Sequence, residues 1–111
     1  MAKDSRLGGR TRQNLNAKIR ARHQPCPLCS YPIDPTLRRT GSPHPLSSVI
    51  DEWYPRSLGG PVDETNCVES HRCCNALKGA QWPVDDALRS RCRTEVESLL
   101  GTGKVPTLTM W

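Results

Sequence analysis

The sequence is poor in the residues that build a large apolar core. It contains no phenylalanine, and aromatic residues make up only 5% of its 111 residues. A chain of this length forms one domain and buries a limited share of its surface, so it needs stabilisation from another source. It also lacks any apolar run of about 20 residues, the length that a membrane-spanning helix requires. What it has instead is six cysteines and three histidines.

An apolar targeting segment is also missing near the N-terminus, where MAKDSRLGGRTRQNLNAKIR is polar and basic. We therefore expect a cytoplasmic protein with no membrane partner, in which thiols stay reduced and clustered cysteines bind metal rather than form disulfides. Acidic residues are fewer than basic ones, 11 against 16, so the formal net charge is +5. The first 22 residues hold seven basic side chains against Asp4 alone. This favours a polyanionic partner such as nucleic acid, with a solvated tail as the equal alternative.

Apolar periodicity and turn residues predict a small α+β domain. Residues 1–12 are expected to be flexible, and the Pro-rich residues 25–45 a loop or knuckle. The predicted strands are one at 46–53 and a short one from Cys67. The predicted helices are a basic helix at 13–22 and a helix at 71–78 that Gly79 closes. A last helix has Asp85 and Asp86 in its first turn and ends at Gly101. The expected organisation is a basic arm or helix at 1–24, a domain at 25–101 and a tail at 102–111.

Two short motifs predict a structural zinc site. Cys26 and Cys29 form a C-x-x-C pair, and His71 and Cys74 form an H-x-x-C pair at a helix start. Four nitrogen and sulfur ligands suit a closed tetrahedral Zn²⁺ site, and a two-residue gap lets one turn aim both donors at one ion. Cys73 competes with Cys74 as a ligand. The alternative is a redox pair with incidental buried cysteines. Outside the four ligands, we interpret Cys67 as a core thiol beside the second strand and Cys92 as a small buried apolar residue.

The stretch VIDEWYPRSLGG places two adjacent carboxylates, Asp51 and Glu52, at the end of the first predicted strand. In isolation these are an exposed acidic pair. With their surroundings, however, the segment 26–79 resembles the HNH endonucleases, in particular the short phage-borne members. The family pattern is C-x-x-C, a strand ending in Asp-His with a Pro after it, Gly-Gly, Asn, H/C-x-x-C-Asn and Lys-Gly. The positions that carry the resemblance are Cys26, Cys29, Asp51, Glu52, Pro55, Gly59, Gly60, Asn66, His71, Cys74, Asn75, Lys78 and Gly79.

The resemblance implies a fold, an activity and partners. The fold would be a zinc-stapled ββα-metal finger, treble-clef-like, with flanking helices. The activity would be metal-dependent hydrolysis or nicking of double-stranded DNA, and a phage terminase or portal protein would be a further partner. Asp51 and Asn75 would hold a catalytic Mg²⁺ or Mn²⁺, and Asn66 would brace the loop that aims the base. The rival interpretation is a catalytically inactive zinc module that binds nucleic acid or a packaging protein.

Glu52 departs from the family pattern, because most relatives have a histidine base at this position. A glutamate with a reference pKa near 4.3 is a weaker base than a histidine near 6.5. Three interpretations stay open: Glu52 is the base with a raised pKa, it is an additional metal ligand, or the site is degenerate. His44, upstream in a Pro-flanked loop, is an alternative base. His23 is expected to be an exposed phosphate contact or to have no role.

Basic residues elsewhere are candidates for sequence-independent phosphate contacts. No segment reads as a base-specific recognition module, so we expect weak sequence preference or nicking. The candidates for one wall of a duplex channel are Arg12, Lys18, Arg20 and Arg22, and those for contacts nearer the cut are Arg38, Arg39, Arg56, Arg72 and Lys78.

Overall fold

The computed structural model describes residues 9–39 and 44–101, with only the backbone described for Arg38 and Arg39. The expected flexible residues 1–8 and the tail 102–111 lie outside this part of the chain. The described part is a small α+β fold with three α-helices and one two-stranded antiparallel sheet. The α-helices and strands are α1 Gly9–Arg20, β1 Ser48–Glu52, β2 Cys67–His71, α2 Arg72–Lys78 and α3 Asp86–Gly101. Within these ranges no helix has both the length and the apolar character needed to cross a membrane.

The sheet pairs β1 with β2 so that Ser48 lies opposite His71 and Glu52 lies opposite Cys67. The predicted first strand was longer, but Leu46 and Ser47 form a turn and Trp53 lies beyond the last pair. The register places the end of β1, with its carboxylates, at the beginning of β2. At the other end of the strand pair, β2 ends at His71 and the chain continues directly into α2.

Helix α1 begins at Gly9, so the predicted flexibility is wrong for residues 9–12. Ile19 from α1 is buried together with Ile50 and Cys67 of the sheet, and this small cluster fixes the helix against the strands. The helix also donates hydrogen bonds to β1, from the Arg12 guanidinium to the Ile50 carbonyl at 3.2 Å and from Arg20 Nε to a serine hydroxyl of β1 at 2.9 Å. The basic arm is therefore a docked element from Gly9 onwards.

The loop before β1 supplies the acceptors for the first turn of α2. The backbone N–H of Arg72 donates to the Ser47 carbonyl at 2.9 Å, and that of Cys73 donates to the Pro45 carbonyl at 2.8 Å. These bonds satisfy donors that have no partner within a helix. Gly79 ends α2 with a φ of 53°, a conformation that glycine adopts without strain.

The second core lies between the knuckle and α3. Leu88, Cys92 and Val96 of α3 are buried and pack in one cluster with the cysteines of both short motifs. Asp85 precedes α3 as its N-cap, and its Oδ1 accepts a hydrogen bond from the Leu88 N–H at 2.9 Å. The prediction that Asp85 lies inside the first turn of this helix is therefore wrong, whereas Asp86 does lie there.

The knuckle contains one short element that the sequence did not predict, a 3-10 helix at Pro35–Arg39. Asp34 accepts hydrogen bonds from the backbone N–H of Thr36 at 2.9 Å and from its hydroxyl at 2.7 Å, which fixes the turn that starts this helix. A second 3-10 helix, Arg56–Leu58, follows β1 and ends at Gly59, whose φ is 103°.

Candidate metal centre and carboxylate cleft

The two Cys/His motifs come together in one buried cluster. The ligand atoms of Cys26, Cys29, His71 and Cys74 all lie within 4.8 Å of one another, and all four residues are buried. Ligand atoms of one tetrahedral zinc are about 3.5–3.8 Å apart at the usual Zn–S and Zn–N bond lengths. A small contraction would therefore place the four donors around one ion. This Cys/His cluster could hold a metal ion such as zinc.

Contacts around His71 orient it for metal binding. Its Nε2 lies 3.0 Å from the Pro32 carbonyl oxygen, which can only accept, so Nε2 carries the proton and donates. The other ring nitrogen, Nδ1, faces the thiols, 3.3 Å from Cys29 Sγ and 4.0 Å from Cys74 Sγ. A metal-bound histidine typically donates its second N–H to a carbonyl or carboxylate in this way. The backbone of the knuckle therefore fixes the imidazole for coordination.

The electrostatics of the cluster favour a cation at its centre. Hydrogen bonds from Cys29 and Cys74 lower the pKa of the Cys26 thiol far below its ordinary value. Burial lowers the pKa of His71, but hydrogen bonds with Cys26 and Cys29 outweigh it and raise that pKa to about 10. Thiolate and imidazolium thus stabilise each other when only protons are present. A divalent ion would satisfy the same negative charge more completely.

The remaining cysteines lie outside the ligand set. Cys73 is half-buried beside Cys74, while Cys67 belongs to the core between α1 and the sheet. Cys92 is fully buried in α3, and its Sγ contacts the Cys74 carbonyl at 3.8 Å. Burial raises the pKa of Cys92 to about 11, so this thiol stays protonated and acts as a small apolar side chain.

Helix α2 connects the Cys/His cluster to an open cleft. The helix begins beside His71, and its C-cap Gly79 lines a cleft of about 790 Å³. The strand end opposite contributes Asp51 and Glu52, and the loop after it contributes Arg56. The complete lining is Asp51, Glu52, Pro55, Arg56, Ser57, Gly79 and Ala80.

The two carboxylates in the cleft act directly on each other. Asp51 Oδ1 accepts a hydrogen bond from the Glu52 backbone N–H at 2.8 Å. Burial raises the pKa of Glu52, and so do a hydrogen bond with the Asp51 side chain and the negative charge of Asp51. Two carboxylates in contact repel unless a proton or a cation lies between them. The pair is thus a site that would gain from a bound cation.

Arg12 of α1 reaches Glu52 from the other side. Its Nη1 lies 3.7 Å from Glu52 Oε2, and the Glu52 side chain is only 8% exposed. This contact was missed from the sequence, which assigned Arg12 to a DNA channel. The arginine is separated from Glu52 by the whole knuckle, and no spacing rule connects residues that far apart.

Lys78 lies in the same region but points inward. The residue is 5% exposed, and its Nζ is 5.8 Å from the centre of the Trp53 ring. Burial lowers the pKa of Lys78, whereas the charges of Asp51 and Glu52 act to raise it. Its ammonium group therefore offsets part of the negative charge at the cleft. The phosphate contact expected of Lys78 stays a prediction.

Asn66 braces the loop that follows β1. Its side-chain N–H groups donate to the carbonyls of Tyr54 at 3.0 Å and Pro61 at 2.9 Å, and its Oδ1 accepts from the Tyr54 backbone N–H at 2.9 Å. The Asn66 carbonyl also accepts from the Trp53 N–H at 2.7 Å. One residue thus fixes the chain on both sides of the bend after the carboxylates, the type of contact that the sequence analysis expected of it.

Replacement of Gly60 by alanine is expected to disrupt this braced loop. A Cβ at Gly60 would lie 1.8 Å from the Tyr54 carbonyl oxygen and 2.9 Å from Asn66 Nδ2. The backbone must move to relieve this clash, which breaks hydrogen bonds of Asn66, and we expect a loss of about 2–4 kcal/mol in the free energy of unfolding. Urea denaturation followed by tryptophan fluorescence measures the loss.

The matched control is the neighbouring Gly59, where a new Cβ would meet no atom within 4 Å. Its φ of 103° imposes only backbone strain, so Gly59→Ala should cost about 1–2 kcal/mol. Equal losses for the two variants would contradict the steric argument.

Other predicted site residues are not brought to the cleft. Asn75 lies one turn before Gly79 on α2, half-buried and outside the cleft lining, so its role as a metal ligand stays a prediction. His44 Nδ1 accepts the Leu46 N–H at 3.0 Å, which uses the lone pair that a base would need. His23 is exposed, with a φ of 51°.

The predicted phosphate contacts fall into two groups. Arg20 lies 3.9 Å from Glu69 as well as bonding to β1, Arg22 donates to the Glu64 carbonyl at 3.0 Å, and Lys18 pairs with the Glu64 carboxylate at 3.0 Å. These side chains already have partners within the fold. Arg56 and Arg72 form the exposed group; Arg56 lines the cleft, and its charge acts to lower the pKa of Glu52. The side chains of Arg38 and Arg39 lie outside the described part.

No protein-family model matches this chain, and neither a curated protein nor a solved structure matches it significantly.

Proposed function

We propose that this chain is a metal-dependent endonuclease of the HNH type that hydrolyses or nicks DNA. The observation that carries the proposal is the position of Asp51 and Glu52. They lie side by side in an open cleft, at one end of a helix whose other end belongs to a Cys/His cluster. The strand, strand, helix order of β1, β2 and α2 is the order that the resemblance to the family requires.

The Cys/His cluster is proposed as the structural zinc site of a treble-clef-like finger. Three sulfur donors and one oriented imidazole nitrogen fit Zn²⁺ better than any hard cation. Two of the donors come from the knuckle and two from the junction of β2 with α2. The ion would therefore fix the start of α2 relative to the knuckle and, through the helix, the position of the cleft.

The carboxylate pair is proposed to hold a catalytic Mg²⁺ or Mn²⁺. Burial and the neighbouring Asp51 raise the pKa of Glu52, and in such a position a hard cation can replace the proton. When bound, such an ion neutralises charge on a phosphate and on the leaving oxygen. Among the three interpretations of Glu52 we adopt the ligand. Its side chain is 8% exposed and paired with Arg12, which leaves little access for a water that a base would activate.

The rest of the cleft suits a phosphodiester. Arg56 provides a guanidinium at the cleft wall, and Arg72 is exposed at the opposite end of α2, outside the cleft lining. Such groups contact phosphates without reading sequence. Asn66 holds the bend after the carboxylates, so the lining residues that follow it keep their position. A net charge of +5 favours association with the polyanion.

Cleavage of supercoiled plasmid tests the proposal directly. Zinc-loaded protein should convert plasmid to nicked or linear forms when Mg²⁺ or Mn²⁺ is added, and leave it supercoiled when neither is present. An Asp51→Asn preparation, purified in parallel, serves as the blank for contaminating nucleases. Plasmid that stays supercoiled with every divalent ion would refute the nuclease, whatever the protein's affinity for DNA.

A second candidate function is a non-catalytic zinc module that binds nucleic acid or a packaging protein. The observation that favours it is the Arg12–Glu52 ion pair, which occupies the position where the family has its histidine base. The same plasmid assay, combined with a gel-shift measurement, distinguishes the two candidates: this module would bind DNA and cut none. A phage terminase or portal as partner, and a cytoplasmic location in the host, belong to the proposal through the resemblance alone.

A further inference from the structure

Aromatic rings are scarce in this chain, yet three of its five lie together next to the cleft. The ring centres of Tyr54 and Trp82 are 5.2 Å apart, and those of Trp53 and Trp82 are 6.1 Å apart, both pairs in edge-to-face arrangement. We call Tyr54 and Trp82 the aromatic pair. They are 36% and 39% exposed, whereas Trp53 beneath them packs against the α3 core.

The aromatic pair lies close in sequence to the residues that line the cleft on either side, although neither ring is part of the lining. Tyr54 directly precedes Pro55 and Arg56, which line one side, and Trp82 follows Gly79 and Ala80, which line the other. The side chain of Asn66 bonds both the N–H and the carbonyl of Tyr54, so that ring projects from a fixed backbone. Trp82 is held by its contact with Trp53. The rings are therefore held by contacts within the fold, partly exposed, and within two residues of the cleft lining in sequence.

A folded domain with so few aromatic residues would be expected to bury them. Single apolar residues scattered over a surface need no explanation, but these exposed rings contact one another and form a patch. An aromatic face beside a phosphate-binding guanidinium is the arrangement that holds an unpaired nucleotide, because the base stacks while the phosphate binds the cation. A continuous duplex offers no free base face, so it could not use these rings.

We propose that the aromatic pair stacks an unpaired base next to the phosphate in the cleft, so that the preferred substrate is DNA with unpaired bases at the cut. The substrate class rests on the proposed nuclease function. The stacking site itself is a binding property and exists whether or not the chain cleaves DNA.

Binding to oligonucleotides without added Mg²⁺ or Mn²⁺ tests the site. Zinc-loaded protein is titrated with oligo(dT), with an abasic oligonucleotide of the same length and with a duplex, each about 12 nucleotides long, within the usual site size of such surfaces. The abasic strand has the same phosphates and no bases. We expect oligo(dT) to bind about tenfold or more tightly than the abasic strand and to quench tryptophan fluorescence.

Variants separate stacking from simple apolar contact. Trp82→Ala should weaken oligo(dT) binding by about tenfold and leave abasic binding unchanged, whereas Trp82→Phe should retain most of the affinity. Leu58→Ala is the matched control, because Leu58 is 52% exposed in the loop that carries Tyr54 but has no aromatic face, and it should change nothing. Thermal unfolding of each variant checks that the fold is intact.

The outcomes distinguish the two proposals. A preference for oligo(dT) that Trp82→Ala abolishes supports the aromatic pair, even if plasmid is never cut. Equal binding of oligo(dT) and the abasic strand, or a Trp82→Ala variant that is folded and binds as the wild type does, overturns it, even if plasmid is cut efficiently.

Discussion

Replacing Cys74 with serine is expected to abolish zinc binding and unfold the domain, while the same change at the adjacent Cys73 should do neither. The Cys74 thiol is one of four buried donors within 4.8 Å of one another, whereas Cys73 is half-buried and outside the set. Structural zinc contributes an apparent binding free energy of about 10–16 kcal/mol in small zinc domains. A domain of this size has a total stability of about 5–15 kcal/mol, so it should not survive the loss.

The physical reason is that the Cys/His cluster is part of the core. Cys26, Cys29 and Cys74 pack in the same cluster as Leu88 and Val96 of α3. Without a cation, hydrogen bonds among the thiols and the imidazole would hold the knuckle to α2 far less strongly than metal–ligand bonds do. Removal of the metal by a strong chelator should therefore unfold the wild type as well.

Metal analysis and far-UV circular dichroism measure the two effects together. The wild type and Cys73→Ser should carry about one zinc per chain and show helical spectra, whereas Cys74→Ser should carry none and lose most of its helix signal. Cys92→Ala is a second control, since it removes a fully buried thiol that is not a ligand. Zinc bound equally by Cys74→Ser and the wild type would disprove the ligand set.

The local motifs were predictable because their information is contained in short spacings. The C-x-x-C and H-x-x-C pairs define the Cys/His cluster, and Gly79 ends α2 where the pattern indicates. The α+β class also follows, because the β-branched residues Val49 and Ile50 indicate a strand, whereas apolar residues three or four positions apart in α3 indicate a helix. Boundaries were less accurate. Asp85 caps α3 rather than joining it, since an aspartate fits either position by sequence alone.

The docking of α1 was not predictable. Its apolar edge is only Leu15 and Ile19, too narrow to indicate burial among so many arginines. What holds the helix is a set of guanidinium contacts with β1 and Glu52, and those depend on the tertiary fold. Basic residues that suggested a free DNA channel are therefore partly internal partners. The aromatic pair was missed for a similar reason: its members are 28 positions apart in sequence.

The second prediction concerns the carboxylates in the cleft. Asp51→Asn should reduce DNA cleavage by at least about 100-fold, because replacing one carboxylate by an amide removes the charge that a hard cation needs. The fold should stay intact, since Asp51 is only half-buried and an asparagine oxygen can still accept the Glu52 N–H. Asp86→Asn is the matched control: it removes an equal charge from an exposed position at the start of α3 and should cleave as the wild type does.

Glu52→Gln separates a ligand from a base. If Glu52 binds the cation, the variant should need about 10–100 times more Mn²⁺ for half-maximal cleavage and recover much of its rate at saturation. The weaker binding should also appear in calorimetric titration of Mn²⁺ without DNA. If Glu52 is instead the base, the rate should fall equally at every Mn²⁺ concentration while Mn²⁺ affinity is unchanged, and Glu52→His should then restore or exceed it because histidine accepts a proton near neutral pH. The Arg12 contact favours the first result, since an ion pair with a guanidinium keeps the glutamate side chain in place, as a ligand requires.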